Sequence, residues 1–296
     1  MFRHPHAWRG RDCSLTSRLE LLSLGAKSPV DGLLGEDGTL TPGETVARTN
    51  SLAASSEPQP PAIEPQSRIG GILFFTAGVV IMVSMAVTEL GWTSPYSLVN
   101  NAISDLGSVH CGFAYGGTHY SCSPWHDVFN AGIILMGLLV IAGATLGWRT
   151  FPGRKLRVMG WILLVVLGIG AIGIGLFPWD AGNFKAHQIA GLGVFVGGNL
   201  GLMTLGFAMD RDPKWGKFRA FSVILGVVGV MAFLAWIVQI SAANNDFPSG
   251  GGVLERISAG TIILWLFVIG VDLARRRGHA FRATDTNRGD QTGSPS

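Results

Sequence analysis

Six long apolar runs dominate this chain and limit what it can fold into. They cover residues 69–89, 126–147, 158–177, 186–209, 220–240 and 253–273. Each run is about 20 residues long, the helical length that crosses a hydrocarbon core of about 30 Å. Because no water reaches the backbone in lipid, a spanning segment must be a helix or part of a closed barrel. The runs lack the alternation of barrel strands, so the sequence predicts an all-α integral membrane protein with a bundle of six transmembrane helices.

The composition divides the chain into three regions. It is 48% hydrophobic and only 14% charged, which is more apolar than a soluble domain, and the middle of the chain carries nearly all of this apolarity. We predict a disordered cytoplasmic N-terminal tail and linker (1–68), a six-helix transmembrane domain (69–273) and a basic cytoplasmic C-terminal tail (274–296). The net charge is only +3 and the basic residues flank the apolar runs, which argues against nucleic-acid binding.

The basic residues also predict an orientation. Those after the second, fourth and sixth runs are Arg149, Arg154, Lys155 and Arg157, then Arg211, Lys214, Lys217 and Arg219, then Arg275, Arg276, Arg277 and Arg282. The other three loops contain only Lys185 and Arg256. The positive-inside rule therefore predicts a multi-pass protein of the plasma (inner) membrane, with both termini in the cytoplasm and residues 91–125 outside. Its one certain partner is the lipid bilayer.

The first outer loop is predicted to contain a short interfacial helix. Ser94 suits the start of this helix and Gly107 its end. Four apolar residues recur between them at helical spacing: Tyr96, Val99, Ile103 and Leu106. Ser104 and Asp105 would then lie on the polar face of a helix in the outer interface. These two residues either face solvent and cap the helix, or contribute to an outer pocket.

Two of the three cysteines lie in this same loop. An oxidising outer compartment favours a disulfide between Cys111 and Cys122. Closing so short a loop would stabilise the fold by about 2–3 kcal/mol in the chain-entropy model. The alternative is a zinc site made by both cysteines with His110 and His119, although this spacing matches none of the usual zinc patterns.

Polar residues gather at the predicted outer ends of the spans. This predicted outer cluster consists of Ser104, Asp105, His126, Asn130, Asp180, His187, Glu255 and Arg256. Spans two, four and six run in the same direction, so their first residues should lie at similar depth. Such a cluster could bind a divalent cation, hold a haem between its two histidines, or perform acid–base chemistry. The alternative is that its members are interfacial and helix-start residues that pair with one another.

Small residues and one amide predict how the spans pack. Gly193, Gly197 and Gly201 recur every four residues in the fourth run, and the glycine-rich third run is a natural partner for that face. Asn199 falls near the centre of the fourth run, where an unpaired amide is costly. We therefore predict that Asn199 forms a hydrogen bond to another helix.

Four stretches resemble the bacterial membrane family catalogued as domain of unknown function 998: NNAISDLG (100–107), HDVFNAGIILMGL (126–138), GIGAIGIGLFPWD (168–180) followed by His187, and LERISAG (254–260). The resemblance covers about residues 69–273 and omits both tails. It implies a six-helix membrane protein, in agreement with the apolar runs. It implies no biochemical activity, cofactor or ligand.

Two functional hypotheses follow. The first is a polytopic membrane protein whose outer-face polar pocket binds a metal, a lipid or an envelope component. The alternative is a non-catalytic structural or accessory membrane protein in which the polar outer cluster only stabilises the bundle. The chain contains no P-loop, HExxH or GxSxG element. The sequence therefore leaves open whether the protein is an enzyme, whether it uses a cofactor and whether it forms oligomers.

Overall fold

The computed structural model describes residues 65–275 except 94, 115–116, 118, 149, 151–153, 210–212 and 244–247. The predicted tails lie almost entirely outside this part of the chain, as does Ser94. The helices are α1 (Pro65–Leu90), α2 (His126–Gly147), α3 (Arg154–Leu176), α4 (Phe184–Leu192), α5 (Gly198–Ala208), α6 (Pro213–Ala242) and α7 (Gly251–Arg275). A π-helical segment (Gly193–Gly197) joins α4 to α5, and the shorter elements are a 3₁₀ turn (Ser104–Gly107) and strands β1 (Gly112–Ala114) and β2 (His119–Ser121).

Within the described residues, six helices are long and apolar enough to cross a membrane. They are Gln66–Leu90, His126–Gly147, Lys155–Leu176, Phe184–Ala208, Gly216–Ala242 and Gly251–Arg275. The fourth of these spans consists of α4, the π segment and α5. The predicted all-α membrane bundle is therefore confirmed, and the protein is a multi-pass membrane protein surrounded by lipid.

The spans form a ring in chain order. Each packs against the next along the chain, and α7 returns to pack against α1. This last contact is close, since a Cβ added to Gly71 would lie 2.6 Å from Cβ of Leu273, as small residues permit. Pro65 and Arg275 therefore lie at one end of the bundle, which we call the terminal end. The opposite end carries residues 91–125, the long loop, and we call it the loop end.

An aromatic cluster fills the terminal half of the ring. Phe74 stacks on Trp161 with ring centroids 6.0 Å apart, and Trp265 meets Phe74 edge-on at 5.9 Å. All three side chains are buried. The indole N–H of Trp265 donates to Oγ of Ser222 at 2.8 Å, so this tryptophan is buried without an unsatisfied donor.

The fourth span changes its packing neighbours at its π segment. Beyond this segment α5 packs against both α3 and α6, whereas α4 packs mainly against α3. The predicted glycine contact with α3 is confirmed, because a Cβ added to Gly193 would lie 3.2 Å from Cα of Gly170. The loop-end half of the fourth span therefore stays with α3 and leaves a gap beside α6.

Asn199 holds the spans together just below this segment. Its side chain is fully buried, and Nδ2 donates to the carbonyl of Phe195 at 2.9 Å and to Oγ of Ser258 at 3.1 Å. Its Oδ1 accepts from Oγ1 of Thr261 at 2.7 Å. The predicted interhelical hydrogen bond is confirmed, and Asn199 also satisfies a carbonyl inside the π segment.

The helix predicted from residue 94 to Gly107 is reduced to the single 3₁₀ turn. Before this turn the chain forms hydrogen-bonded turns, with the amides of Asn100 and Asn101 both donating to the carbonyl of Ser97. The Asn101 side chain accepts from the Ser97 amide at 3.0 Å. Such side-chain bonds to nearby backbone compete with helix formation. The segment therefore folds inward over the bundle instead of lying flat in the interface.

A disulfide-linked hairpin completes the long loop. Strands β1 and β2 are antiparallel, with Phe113 opposite Tyr120. Cys111 and Cys122 flank the two strands and form the predicted disulfide. The sequence interpretation foresaw the disulfide and missed the hairpin.

Candidate functional site

The 3₁₀ turn brings Asp105 into the protein instead of exposing it. Its side chain is only 2% exposed. Oδ2 accepts from Nδ2 of Asn101 at 3.1 Å and from the backbone amide of Ala102 at 2.9 Å. The same oxygen lies 2.7 Å from Nε2 of His119, which β2 supplies. One carboxylate oxygen thus organises the turn, and of the two alternatives that the sequence left open for Asp105, the burial of its side chain disagrees with the one in which it faces solvent.

Glu255 reaches the same place from the first turns of α7. Its side chain is 3% exposed, and Oε2 accepts from the backbone amide of Ile103 at 2.6 Å. Among the described residues no basic side chain lies within the 4.0 Å of an ion pair with Glu255. We call Asp105 and Glu255 the acid pair. Both contact the same short stretch of the long loop, so the loop brings two buried carboxyl groups together.

Arg256 binds the long loop instead of the acid pair. Its Nη1 donates to the carbonyls of Asn101 at 2.5 Å and of Gly252 at 3.0 Å. Its guanidinium lies 5.4 Å from the centre of the Tyr96 ring and donates to the Tyr96 hydroxyl. Burial raises the pKa of Tyr96, and the nearby guanidinium opposes this only in part. Tyr96 is therefore a neutral partner for Arg256.

A cavity of about 710 Å³ lies beneath the acid pair in the loop-end half of the bundle. Most of its wall is apolar and comes from all six spans, including Ile81, Ile133, Val194, Phe195, Phe233 and Ile262. Its polar members are Ser104, Asp105, Lys185, His187, Gln188 and Glu255. The cavity is thus an apolar chamber with polar groups at one end.

The cavity opens on the side of the bundle. Ile189 of α4 and Ile237 of α6 both line it. They are 70% and 41% exposed, and they lie on the two sides of the gap between these helices. Ile189 is five residues into α4, which is about 7 Å below the start of that helix. The opening therefore faces the region that lipid chains occupy.

His187 lies in the α4 wall of the cavity. Its Nδ1–H donates to the carbonyl of Phe177 at 2.9 Å. This bond sets the orientation of the ring and leaves Nε2 as the nitrogen that a ligand can reach. Lys185 and Gln188 belong to the same wall.

Asp180 anchors the long loop from outside the cavity. It accepts from Oγ of Ser108 at 2.7 Å and from the amides of Val109 and His110 at 3.0 and 2.7 Å. Burial alone would raise the pKa of Asp180, but these hydrogen bonds outweigh it and hold the pKa below its ordinary value. The charged carboxylate therefore ties the loop to the turn between α3 and α4.

His126 and Asn130 also serve the loop. Nδ1–H of His126 donates to the carbonyl of Ser123 at 2.9 Å, and Nδ2 of Asn130 donates to the carbonyl of Gly107 at 3.1 Å. Neither residue lines the cavity. The predicted outer cluster thus divides into two sets. Ser104, Asp105, His187 and Glu255 line the cavity, while His126, Asn130, Asp180 and Arg256 hold the long loop in place.

The metal alternatives find little support in the arrangement of donors. Within the part of the chain that the structure describes, no three His, Cys, Asp or Glu side chains are placed to hold a metal ion. The cysteines of the alternative zinc set form the disulfide, and His119 binds Asp105. The haem alternative needs two histidines that face each other, and His126 lies outside the cavity that His187 lines.

The roles of several residues were missed in the sequence. His119 was named only as an alternative zinc ligand, whereas it lies buried in β2 and contacts Asp105; two short runs on either side of the glycines in CGFAYGGTHYSC could have predicted the hairpin. No pattern in the sequence predicted that Tyr96 and Asn101 would contact Arg256 of α7. Lys185 and Gln188 were not predicted to line a pocket, because the gap beside α4 depends on the π segment.

The comparisons with known proteins agree with the fold. No curated protein and no solved structure matches this chain. Residues 76–272 match the family described as "Protein of unknown function (DUF998)". This match spans most of the chain and nearly the whole bundle, from within α1 to near the end of α7. The chain therefore belongs to the DUF998 family, as the resemblance of its sequence implied.

Proposed function

We propose that the protein binds one amphipathic lipid molecule in the cavity, with its hydrocarbon part against the apolar wall and its polar group at the acid pair. The observation that carries this proposal is an apolar chamber closed at one end by two buried carboxyl groups. A volume of about 710 Å³ falls within the range of about 300–1,000 Å³ that is typical of ligand pockets. Fixed polar groups at one end of an apolar pocket are suited to orienting such a ligand.

The side opening supports a ligand that comes from the membrane. A molecule dissolved in the bilayer reaches the gap between α4 and α6 without leaving the hydrocarbon region. The exposed side chains of Ile189 and Ile237 give that route apolar walls. A water-soluble ligand would have to pass the long loop, which Asp180, Arg256 and the hairpin hold over the bundle.

We place the long loop on the outer side of a bacterial plasma membrane and both termini in the cytoplasm. The basic residues at the terminal end support this orientation. The disulfide in the long loop supports it independently, since disulfides persist in oxidising compartments. Reporter fusions after Thr118 and after Gly153 should report opposite compartments, and the same compartment for both would overturn this topology.

A matched pair of substitutions tests lipid binding. Ala259 lines the cavity, so Ala259→Phe places a ring in the chamber. Ala131 lies exposed on α2, also in the loop-end half of the bundle, so Ala131→Phe adds the same ring outside. Native mass spectrometry of the full chain should find one retained lipid on the wild type and on Ala131→Phe, and none on Ala259→Phe.

The opposite result favours the alternative function. If neither the wild type nor either variant retains a lipid, the cavity proposal fails. The protein would then fit a non-catalytic structural or accessory role. The engagement of Arg256 and Asp180 with the long loop favours that role for those two residues.

A further inference from the structure

Two walls of the cavity differ in their polar groups, with carboxyl groups on one wall and a lysine on the other. The long loop and α7 supply the carboxyl groups of Asp105 and Glu255. The facing helix α4 supplies the Lys185 ammonium and the His187 imidazole. A ligand that fills this end of the cavity meets carboxylate acceptors on one side and the Lys185 ammonium, a charged donor, on the other.

The acid pair retains capacity for a ligand. All three contacts of Asp105 are made by Oδ2, and Oδ1 has no hydrogen-bond partner among the described residues. Glu255 has no basic group at ion-pair distance in that same part of the chain. A buried carboxylate is costly unless it is paired and hydrogen-bonded. A ligand cation that carries N–H donors would donate to the free Oδ1 of Asp105 and would also pair with Glu255.

The α4 wall suits an anion at the rim of the cavity. Lys185 is exposed and forms no ion pair within the described residues. His187 does not add a donor here, because its Nδ1–H binds the Phe177 carbonyl and Nε2 of the neutral ring is an acceptor, so Lys185 is the group that binds the anion. Lysine is a common phosphate binder, acting as a point charge. The acids are buried and the lysine is exposed, so the cationic end of a ligand belongs inside and the anionic end at the rim.

We infer that the ligand of this cavity is a zwitterionic aminophospholipid, with its ammonium N–H groups at the acid pair and its phosphate at Lys185. This inference rests on the proposed lipid binding and adds the chemistry of the head group. The inference predicts different binding for three lipids that share the same acyl chains and differ only in their head groups. Phosphatidylethanolamine has both groups, phosphatidylcholine has a cation without N–H donors, and phosphatidylglycerol has the phosphate without the cation.

The test is a competition among these three lipids for the full-length protein, read by native mass spectrometry. Phosphatidylethanolamine should be retained at least about tenfold over each of the other two, the effect of one hydrogen bond to a charged group. Glu255→Gln keeps an oxygen to accept the Ile103 amide and removes the charge. It should reduce the preference over phosphatidylglycerol several-fold. Lys185→Gln should weaken retention of both phosphatidylethanolamine and phosphatidylglycerol.

Two exposed residues provide controls. Asp127→Asn removes a carboxylate at the loop end that does not line the cavity, and Lys217→Gln removes a lysine of α6 at the terminal end. Neither should alter the preference. Equal retention of the three lipids, or a preference for phosphatidylglycerol, would overturn the head-group inference and leave lipid binding intact. Retention of no lipid at all would overturn lipid binding itself.

Discussion

The two halves of the bundle are built in different ways from similar helices. In the terminal half, Phe74, Trp161 and Trp265 fill the centre of the ring, and the Trp265 indole N–H donates to the Ser222 hydroxyl. In the loop-end half, the centre holds a cavity of about 710 Å³ and two buried carboxyl groups. The boundary between them lies at the π segment of the fourth span.

This difference separates packing from function. Close packing stabilises a protein, and an unfilled cavity gives up the contacts that its lining atoms would make. The loop-end half lacks the packing contacts that would fill its cavity, and it carries a long loop that Asp180 and Arg256 hold in place. We interpret the terminal half as the structural base of the bundle and the loop-end half as its binding region. π-helical segments frequently mark functional sites.

The largest expected effect comes from truncating one side chain in each half. Trp265→Ala should lower the free energy of unfolding by about 3–5 kcal/mol, because it leaves a cavity in a packed core. Ile237→Ala, at the edge of the existing cavity, should cost less than about 1 kcal/mol, since surface changes away from packed features have small effects. Unfolding of the detergent-solubilised protein measures both. Equal costs would contradict the division into a packed half and an open half.

A second prediction concerns the long loop alone. Replacing both Cys111 and Cys122 by Ser should destabilise the loop by about 2–3 kcal/mol, the effect of closing a short loop in the chain-entropy model. Hydrogen exchange should become faster at the amides of β2 and stay unchanged around Trp265. Cys13→Ser is the control, because it leaves both loop cysteines in place. Faster exchange in both halves would show that the loop supports the whole bundle.

The smallest expected effect is the acid sensitivity of the loop anchor. The pKa of Asp180 is held below its ordinary value of about 3.9. Its contribution is therefore fully present above that ordinary value and is lost as the pH falls through the lower, folded-state pKa. Protection of the Val109 and His110 amides should be constant from pH 7 to 5 and decrease only in stronger acid.

Asp180→Asn provides the comparison for this pH dependence. The amide keeps one acceptor oxygen but carries no charge, so it should weaken the anchor at neutral pH and remove most of the acid response. An acid response of the same size in this variant would assign the titration to another group. Loss of protection already between pH 7 and 5 in the wild type would contradict the lowered pKa.

Much of the fold could be predicted from the sequence because lipid leaves few choices. Apolar runs of this length must be helices, and the buried amide of Asn199 had to find a partner on a neighbouring span. Two cysteines in one short loop had an obvious pairing. Each of these inferences depends on a strong local constraint, and the structure confirms all of them.

The binding region could not be predicted in the same way. The path of the long loop depends on the contact of Ile103 with Glu255, which lies 152 residues away in the sequence. The hydrophobic spacing that predicted a helix there was outweighed by side-chain bonds of Asn101 and Asp105. The cavity depends on where the fourth span leaves α6, and similar depth in the membrane did not bring His126 to the cavity wall.

The central claim is that a lipid occupies the loop-end cavity. Its most direct test is a structure of the full chain in nanodiscs whose lipids carry brominated acyl chains. Our account predicts bromine scattering inside the loop-end cavity, continuous through the gap between α4 and α6, with the head group beside Asp105 and Glu255. Ala259→Phe should remove that signal, while lipid on the outer surface of the bundle remains. Bromine found only around the outside of the bundle, with an empty or water-filled cavity in the wild type, would contradict the account.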